Sequence, residues 1–285
     1  MKLLRVGPPG RERPAAMLED GSLVDLSPLT ADLDGAFLAG GGLERARAAL
    51  DGGDLPALDA AGARIGPPVA RPGKVVCIGL NYRDHAAETG AELPAEPVVF
   101  LKDPGTVVGP DDPVLVPRGS GKTDYEVELA VVIGRRARYL AGPDDADADA
   151  CVAGYAVAND VSEREFQLER GGTWDKGKSC ETFNPLGPWL VTPDEVADPQ
   201  RLGLRTWVNG ELRQDGSSKD MVFGVRHLVW YLSQFMVLEP GDVIDTGTPA
   251  GVALGRPDHP YLRAGDLVEL EVDGLGRQRQ RLAQA

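Results

Sequence analysis

Two acidic residues, Glu126 and Glu128, lie two positions apart in the run 124–134, which is rich in β-branched residues. The alternation of this run predicts a strand, and side chains two apart on a strand share a face. Ala130 and Val132 continue the same face. Two adjacent carboxylates beside apolar surface repel each other and resist ionisation. A bound cation would resolve both problems, and oxygen ligands suit Mg²⁺, Mn²⁺ or Ca²⁺. The run fits equally well a strand whose outer end is solvated.

A third acid, Asp160, ends the apolar segment 153–159, which predicts a buried strand. Ser162 and Glu165 follow with the spacing of a capping box, which predicts a helix over about 163–170. A carboxylate at a strand end, just before a helix, is well placed to bind a metal ion. A plain helix cap fits the same pattern.

The predicted helix carries Arg164 and Gln167, which are three apart and share one face. An Arg and a Gln beside a carboxylate can bind an anionic ligand next to a metal. Further along, glycine, proline and aromatic residues in the run 174–189 define a loop that could direct Lys178 inward. The run 245–252 follows a strand, and its glycines expose backbone N–H groups beside the Thr248 hydroxyl, which suits an anion.

His85 and Glu88 are one helical turn apart in the run 81–88. A carboxylate at this spacing can orient a histidine that acts as a general base and stabilise its charge. Taken alone, the pair has the spacing of an ordinary surface contact. The hypothesis therefore depends on the other candidate residues.

Composition narrows the class of protein. The chain has 285 residues and a formal charge of −14, which disfavours nucleic acids and anionic membranes as partners. No apolar run is long enough for a membrane helix, the N-terminus lacks the apolar core of a signal peptide, and three cysteines show no CxxC spacing. These features predict a cytoplasmic protein without structural zinc. The chain has only three histidines, which disfavours a metal site with several histidine ligands.

The chain divides into a small N-terminal domain, 1–70, and a catalytic domain, 71–285. The first part predicts a short hairpin-type sheet, helical stretches after Ser27 and over 43–50, and a linker at 62–73. The second part predicts a series of short strands at 75–80, 98–101, 114–116, 126–133, 152–158, 204–208, 243–246 and 267–272, with helices at about 163–170 and 225–235. The acidic run 144–150 predicts a surface helix or loop. Many strands with few helices favour a β-rich roll or sandwich over a doubly wound sheet.

One apparent motif is rejected. The run 119–123 ends like a phosphate-binding loop, but Val116 and Pro117 stand where its first glycine is needed. A strand follows where that motif needs a helix. Nucleotide binding is therefore not expected.

Over residues 70 to 280 the sequence resembles the fumarylacetoacetate hydrolase family. The motifs that carry the resemblance are Asn81-Tyr82 with His85 and Glu88, Phe100-Leu101-Lys102, the run 124–129, Asp160 with Arg164, Lys178-Ser179 and the run 246–252. The resemblance implies an α+β, β-rich fold, namely a mixed β-sandwich roll of this family's C-terminal type with a small N-terminal α+β domain. It also implies a homodimer.

The resemblance further implies that Glu126, Glu128 and Asp160 hold one divalent cation, Mg²⁺ or Mn²⁺ with Ca²⁺ as a third candidate. Its substrates would be small anionic 2-oxo or 2,4-dioxo acids, bound by Arg164, Gln167 and Thr248. In a hydrolase of this type His85, assisted by Glu88, activates water, and Lys178 stabilises the oxyanion. Cleavage of a C–C bond in an acylpyruvate or diketo-deoxy sugar acid then proceeds through a metal-stabilised enolate.

Alternatives remain within and outside this chemistry. The same family includes oxo-acid decarboxylases and isomerases, and similar proteins are described as ureidoglycolate lyases. A non-catalytic paralogue that binds oxo acids is a different class of hypothesis. A non-catalytic paralogue would be expected to have lost His85 and Glu88, so the presence of both residues disfavours this hypothesis.

Overall fold

The computed structural model describes residues 1–143 and 146–285. Its strands are β1 Lys2–Val6, β2 Arg13–Met17, β3 Leu23–Asp25, β4 Ile65–Gly66, β5 Val75–Gly79, β6 Val98–Lys102, β7 Val107–Val108, β8 Val114–Val116, β9 Thr123–Asp124, β10 Val127–Ile133, β11 Val152–Asn159, β12 Ser162–Glu163, β13 Asn184–Pro185, β14 Leu190–Val191, β15 Gly203–Val208, β16 Glu211–Ser217, β17 Val243–Asp245, β18 Leu267–Val272 and β19 Gly276–Gln284. Its α-helices are α1 Gly35–Ala39, α2 Gly42–Gly52, α3 Arg83–Thr89, α4 Ala146–Ala150, α5 Asp175–Lys178 and α6 Val225–Ser233. A π-helical turn covers Glu165–Glu169.

The larger sheet has ten strands, with β4 attached to β1 and the others in the order β3-β2-β1-β14-β11-β10-β17-β5-β6. The N-terminal strands therefore continue the sheet of the catalytic part through the antiparallel pair β1–β14. The predicted linker at 62–73 contributes β4, which pairs with β1. The proposed boundary near residue 70 thus lies between two parts that share one sheet.

The second sheet has five strands in the order β16-β15-β18-β19-β8, and it packs on the larger one through β10 and β11. Both sheets are mixed, because β17 runs parallel to β5 and β19 runs parallel to β8. Two packed mixed sheets with few helices confirm the expected α+β, β-rich fold.

The two faces of β10 contribute to different cores. Leu129 and Val131 belong to the main hydrophobic cluster, which fills the space between the two sheets. Ala130 and Val132 belong to a second cluster, together with Leu3 and Phe37 of the N-terminal part. The N-terminal part therefore covers the apolar end of the same face that carries the two glutamates.

Several helical predictions need correction. The helix expected after Ser27 begins only at Gly35, and the helix expected over 163–170 is the π-helical turn after the short strand β12. In the acidic run 144–150, residues 146–150 form α4, and Asp144 and Asp145 lie outside the described residues. Among the described helices, none has both the length and the apolar character to cross a bilayer.

Candidate metal and catalytic site

The three predicted metal ligands come together where β10 and β11 meet. The N–H of Asp160 donates to the carbonyl of Glu126 at 3.0 Å, directly beyond the pair Val127–Asn159 that ends the β10–β11 ladder. This bond places Asp160 beside the two glutamates. Each of the three residues offers a carboxylate oxygen, these oxygens lie within 4.8 Å of one another, and all three residues are buried. Glu126 and Glu128 share one face, and the adjacent ends of β10 and β11 bring Asp160 to them, so the three residues form one carboxylate cluster.

Three cations surround the cluster. The ammonium of Lys178 donates to Glu126 and to Asp160, each at 2.7 Å. The guanidinium of Arg164 donates to Glu126 at 2.6 Å. The ammonium of Lys102 donates to the second oxygen of Asp160 and to the carbonyl of Phe183. Glu126 and Asp160 are therefore each held by two cations.

Glu128 has a different environment. Burial raises its pKa well above the usual value, and the neighbouring carboxylates of Asp160, Asp245 and Glu126 raise it further. Burial would also raise the pKa of Glu126, but the charges of Lys178 and Arg164 outweigh it and lower that pKa to about 2. Burial lowers the pKa of Lys178, but the negative charges of Asp160 and Glu126 raise it by more. The net pKa is raised, so this ammonium stays charged.

The donor set fits a hard divalent cation. It consists of three buried carboxylate oxygens, one of which belongs to a glutamate whose negative charge is poorly compensated. Mg²⁺ and Mn²⁺ prefer such ligands and use water or substrate oxygens to complete an octahedron. Glu126, Glu128 and Asp160 are thus the residues that would hold the ion.

His85 and Glu88 lie on α3 and form the expected pair. Nδ1 of His85 lies 2.9 Å from Oε1 of Glu88. The N–H of Gly251 donates to both carboxylate oxygens of Glu88, at 3.0 and 2.9 Å. Glu88 is therefore fixed from two sides and fixes the histidine ring. The other ring nitrogen of His85, Nε2, is left to act at the cavity that this residue lines.

The glycine-rich run 245–252 binds carboxylates of the protein itself. The N–H of Gly247 donates to Glu128 at 2.6 Å, as that of Gly251 does to Glu88. The Thr248 hydroxyl donates to the carbonyl of Val127 at 2.9 Å and accepts from Gln214 at 2.8 Å. The sequence suggested that these backbone amides bind an anionic ligand. In the structure they instead orient the carboxylates of Glu128, a predicted metal ligand, and of Glu88, the predicted partner of His85.

One cavity of about 210 Å³ connects these groups. Seven of the nine predicted site residues line it, namely His85, Glu126, Glu128, Arg164, Gln167, Lys178 and Thr248. Asp160 and Glu88 stand behind the lining and contact Lys178 and His85. The structure therefore brings all nine residues together, while their individual roles stay predictions.

The predicted capping box, with Ser162 as the N-cap of a helix, is wrong. The Ser162 hydroxyl donates to the carbonyl of Asp160, and Ser162 pairs with Asp124 as part of the two-stranded β9–β12 ladder. Arg164 instead contacts the buried Asp124, with Nε 2.9 Å from its carboxylate, and its Nη1 donates to Gln167 at 3.0 Å. Asp124 and the short ladder thus orient Arg164 and Gln167.

Three further residues of the site were not predicted to act there. Lys102 holds Asp160, and Asp124 holds Arg164. Asp245 lies at the end of β17, opposite Ala130 on β10, and is fully buried. Burial, followed by the charge of Asp160, raises the pKa of Asp245 to about 7. Lys102 is the last residue of β6 and Asp245 is the last residue of β17, so a lone charge at the end of an otherwise apolar strand was the available signal.

Comparison with known proteins identifies the family. The model of the fumarylacetoacetate (FAA) hydrolase C-terminal domain matches residues 74–283. The chain belongs to the fumarylacetoacetate hydrolase family. A Burkholderia multivorans protein named as a putative hydrolase is 54% identical over 281 residues, which is 98% of each chain.

Solved structures of this family have the same fold. A putative HpcE protein from Mycobacterium smegmatis is 37% identical, with a TM-score of 0.89 and full coverage of both chains. Maleylpyruvate hydrolase from Sphingobium sp., solved with manganese (II) and pyruvate, is 30% identical, with a TM-score of 0.80 and full coverage of both chains. These solved structures and this chain thus share one fold over their full length.

Proposed function

We propose that this member of the fumarylacetoacetate hydrolase family is a divalent-metal-dependent hydrolase that cleaves a C–C bond in a 2,4-dioxo acid. The observation that carries the proposal is a cavity lined both by Glu126 and Glu128 of the carboxylate cluster and by His85, which Glu88 holds. A metal site alone would also suit a binding protein. A metal site that shares a cavity with an oriented histidine suits hydrolysis.

The overall reaction adds water across one C–C bond. An acylpyruvate, R–CO–CH₂–CO–COO⁻, and water give the carboxylic acid R–COOH and pyruvate. A bound divalent ion would supply Lewis-acid stabilisation of the negative charge that develops on the pyruvate half. Pyruvate bound with manganese in the Sphingobium relative supports this assignment of substrate.

The protein's own residues would divide the remaining work. Nε2 of His85 takes a proton from water while Nδ1 is held by Glu88, so the hydroxide attacks the ketone distal to the carboxylate. Lys178, which is charged and lines the cavity, stabilises the resulting oxyanion. Arg164 and Gln167 bind the oxygens of the oxo-acid end. The proton held by His85 then returns to the leaving carbon.

The segment 81–93 would act as a lid. It carries α3, and Gly90, which has a left-handed φ of 68°, closes this helix. A small residue at a helix end is a suitable hinge. Closure of this segment over the substrate would exclude bulk water from the cavity.

The test uses acetylpyruvate and oxaloacetate, each with Mg²⁺, with Mn²⁺ or with a chelator. Hydrolysis predicts equal amounts of acetate and pyruvate from acetylpyruvate, only with metal. Release of CO₂ and pyruvate from oxaloacetate with acetylpyruvate left intact would establish a decarboxylase instead, and a change in absorbance without new products would establish an isomerase.

Variants link the activity to the site. Glu128→Gln should remove the metal-dependent activity, whereas Glu19→Gln changes an exposed carboxylate in the turn after β2 and should leave it unchanged. Full activity in Glu128→Gln would contradict the proposal.

A further inference from the structure

Part of the cavity wall is apolar, and the proposed mechanism does not use it. This part, the apolar end of the cavity, consists of the side chains of Leu80, Ala91, Phe100, Leu168, Trp174 and Leu254. In a 2,4-dioxo acid the oxo-acid end is bound at the charged groups. The acyl tail, which is the group R, must therefore point to the apolar end.

An aromatic wall begins directly at the catalytic lysine. The ring of Phe100 lies 5.1 Å below the ammonium of Lys178, and the indole of Trp174 packs edge-on against Phe100 at 5.4 Å between centroids. Trp174 also lies flat on the backbone of Gly79, where an added Cβ would come within 2.4 Å of the indole. Gly79 thus allows the aromatic wall to approach the cavity closely.

Leu80, Leu168 and Leu254 are the larger aliphatic side chains of the apolar end. Leu80 has a φ of +53°, a left-handed conformation that a leucine rarely adopts. The N–H of Leu254 donates to Asp124 at 3.0 Å, which fixes the backbone of this loop. Leu168 lies at the mouth and remains 46% exposed. Asp124 thus fixes both Leu254 of the apolar end and Arg164 of the polar end.

The apolar end offers no partner for a second carboxylate. Among the described residues that line the cavity, the permanent cations are Arg164 and Lys178, and both already contact Glu126. The hydroxyl of Thr89, also in the lining, donates back to the carbonyl of His85. A carboxylate brought here would lose its hydration without gaining an ion pair, in a protein with a formal charge of −14.

We infer that the natural substrate is an acylpyruvate with a short, uncharged, apolar acyl tail. Dicarboxylic substrates, of which maleylpyruvate is an example, and diketo sugar acids with hydroxylated tails would both leave polar groups unpaired at this end. The cavity volume of about 210 Å³, which must also hold the oxo-acid end, favours a short tail. This inference rests on the proposed function, since it assumes that the oxo-acid end occupies the charged groups.

A matched pair of substrates tests the inference. 2,4-Dioxoheptanoate and 2,4-dioxoheptanedioate have the same chain and differ only in a terminal methyl or carboxylate. We expect kcat/KM for the methyl compound to be at least about 10²-fold higher, because a buried charge without a partner is strongly disfavoured. A higher kcat/KM for the dicarboxylate would overturn the inference and leave the proposed hydrolase function intact.

A matched pair of variants tests the position of the tail. Leu168→Arg places a cation at the mouth and should shift the ratio of the two kcat/KM values at least about tenfold toward the dicarboxylate. Leu212→Arg makes the same change on β16 at a leucine of similar exposure, 47%, and should leave the ratio unchanged. An equal ratio in wild type and Leu168→Arg would place the tail elsewhere and contradict the inference.

Binding separates this inference from the proposed function. 2-Oxoheptanoate and 2-oxoheptanedioate lack the second ketone and cannot be hydrolysed, so calorimetry with Mg²⁺ reports their affinities alone. Tighter binding of 2-oxoheptanoate, without cleavage of either dioxo acid, would support the apolar tail site and refute the hydrolase. Tighter binding of 2-oxoheptanedioate would refute the tail site whatever the outcome of the hydrolysis assay.

Discussion

Gly255 makes room for the carboxylate of Glu88: a Cβ atom added to Gly255 would lie 2.5 Å from Cδ of Glu88. Glu88 cannot retreat without losing the bonds from Gly251 and His85. The geometry of the proposed base therefore depends on a glycine from a loop more than 160 positions away along the chain.

Gly255→Ala should accordingly reduce turnover while the protein stays folded. The methyl group displaces Glu88, and misplacement of a catalytic group by about 1 Å costs on the order of 10²-fold in rate. Steady-state kinetics and metal titration would show a lower kcat with unchanged metal affinity. Gly121→Ala is the control, since nothing lies within 4 Å of its Cβ position. Equal kcat in both variants would contradict the proposed role of Glu88.

His85→Ala tests the base itself. Loss of a positioned acid–base group should lower turnover by roughly 10²–10⁴-fold. Metal affinity should change little, because the carboxylate cluster lies on other elements. Isothermal titration with Mn²⁺ and turnover on acetylpyruvate, both in the same variant, provide the comparison. Loss of the ion, or a wild-type rate, would show that the role assigned to His85 is wrong.

Part of the geometry of the site could be predicted from the sequence because the relationships involved are local. Strand alternation places Glu126 and Glu128 on one face, and helical spacing places His85 beside Glu88. The structure shows both arrangements. The approach of Asp160 to the two glutamates joins different strands, and it was implied by the family resemblance.

The predictions that failed concern contacts between distant segments. Ser162 could not be recognised as part of a strand, because its partner Asp124 lies 38 positions earlier. β19 was missed for a related reason: its inward residues Gln278 and Gln280 are polar but fully buried. They bond to carbonyls such as those of Val157 and Pro110. Hydropathy does not reveal a buried glutamine whose hydrogen-bond partners lie far away along the chain.

The metal-free protein should lose stability as the pH rises. The folded-state pKa of Asp245 is about 7, against 3.8 for the unfolded chain, mainly because of burial. Between these values the folded state holds a proton that the unfolded state releases, so the free energy of unfolding falls with increasing pH. Thermal melts in a chelator, from about pH 5 to about pH 8, should show a steeper fall in Tm for wild type than for Asp245→Asn. Identical slopes would contradict the raised pKa.

Lys102 should be important for the metal-free protein in particular. Lys102→Met leaves Asp160 with one buried cation fewer, which costs about 3–5 kcal/mol when a buried pair is broken. A divalent ion would compensate the same carboxylate, so Mg²⁺ should restore more stability to this variant than to wild type. Urea unfolding with and without Mg²⁺ measures both effects. Lys219→Met, at an exposed lysine, should change stability by less than about 0.5 kcal/mol. A loss that Mg²⁺ does not reduce would contradict the link to the metal site.

The protein should be a homodimer, and the structure indicates which surface would form the interface. Val229 and Leu232 on α6 are buried in the chain's own core. Phe235 is 67% exposed and packs against Tyr231, with 4.8 Å between ring centroids and 57° between ring planes. Both residues line an apolar groove together with Val99. Large apolar surfaces of this kind are typical of interfaces between copies of a chain.

Light scattering at micromolar concentration should therefore give twice the chain mass of 30.2 kDa. Phe235→Asp introduces a charge at the centre of the exposed aromatic surface and should shift the protein toward monomer. Leu212→Asp introduces the same charge at an exposed leucine of the second sheet and should remain dimeric. A monomeric wild type would refute the dimer. A dimeric Phe235→Asp, with a monomeric Leu212→Asp, would instead place the interface on the five-stranded sheet.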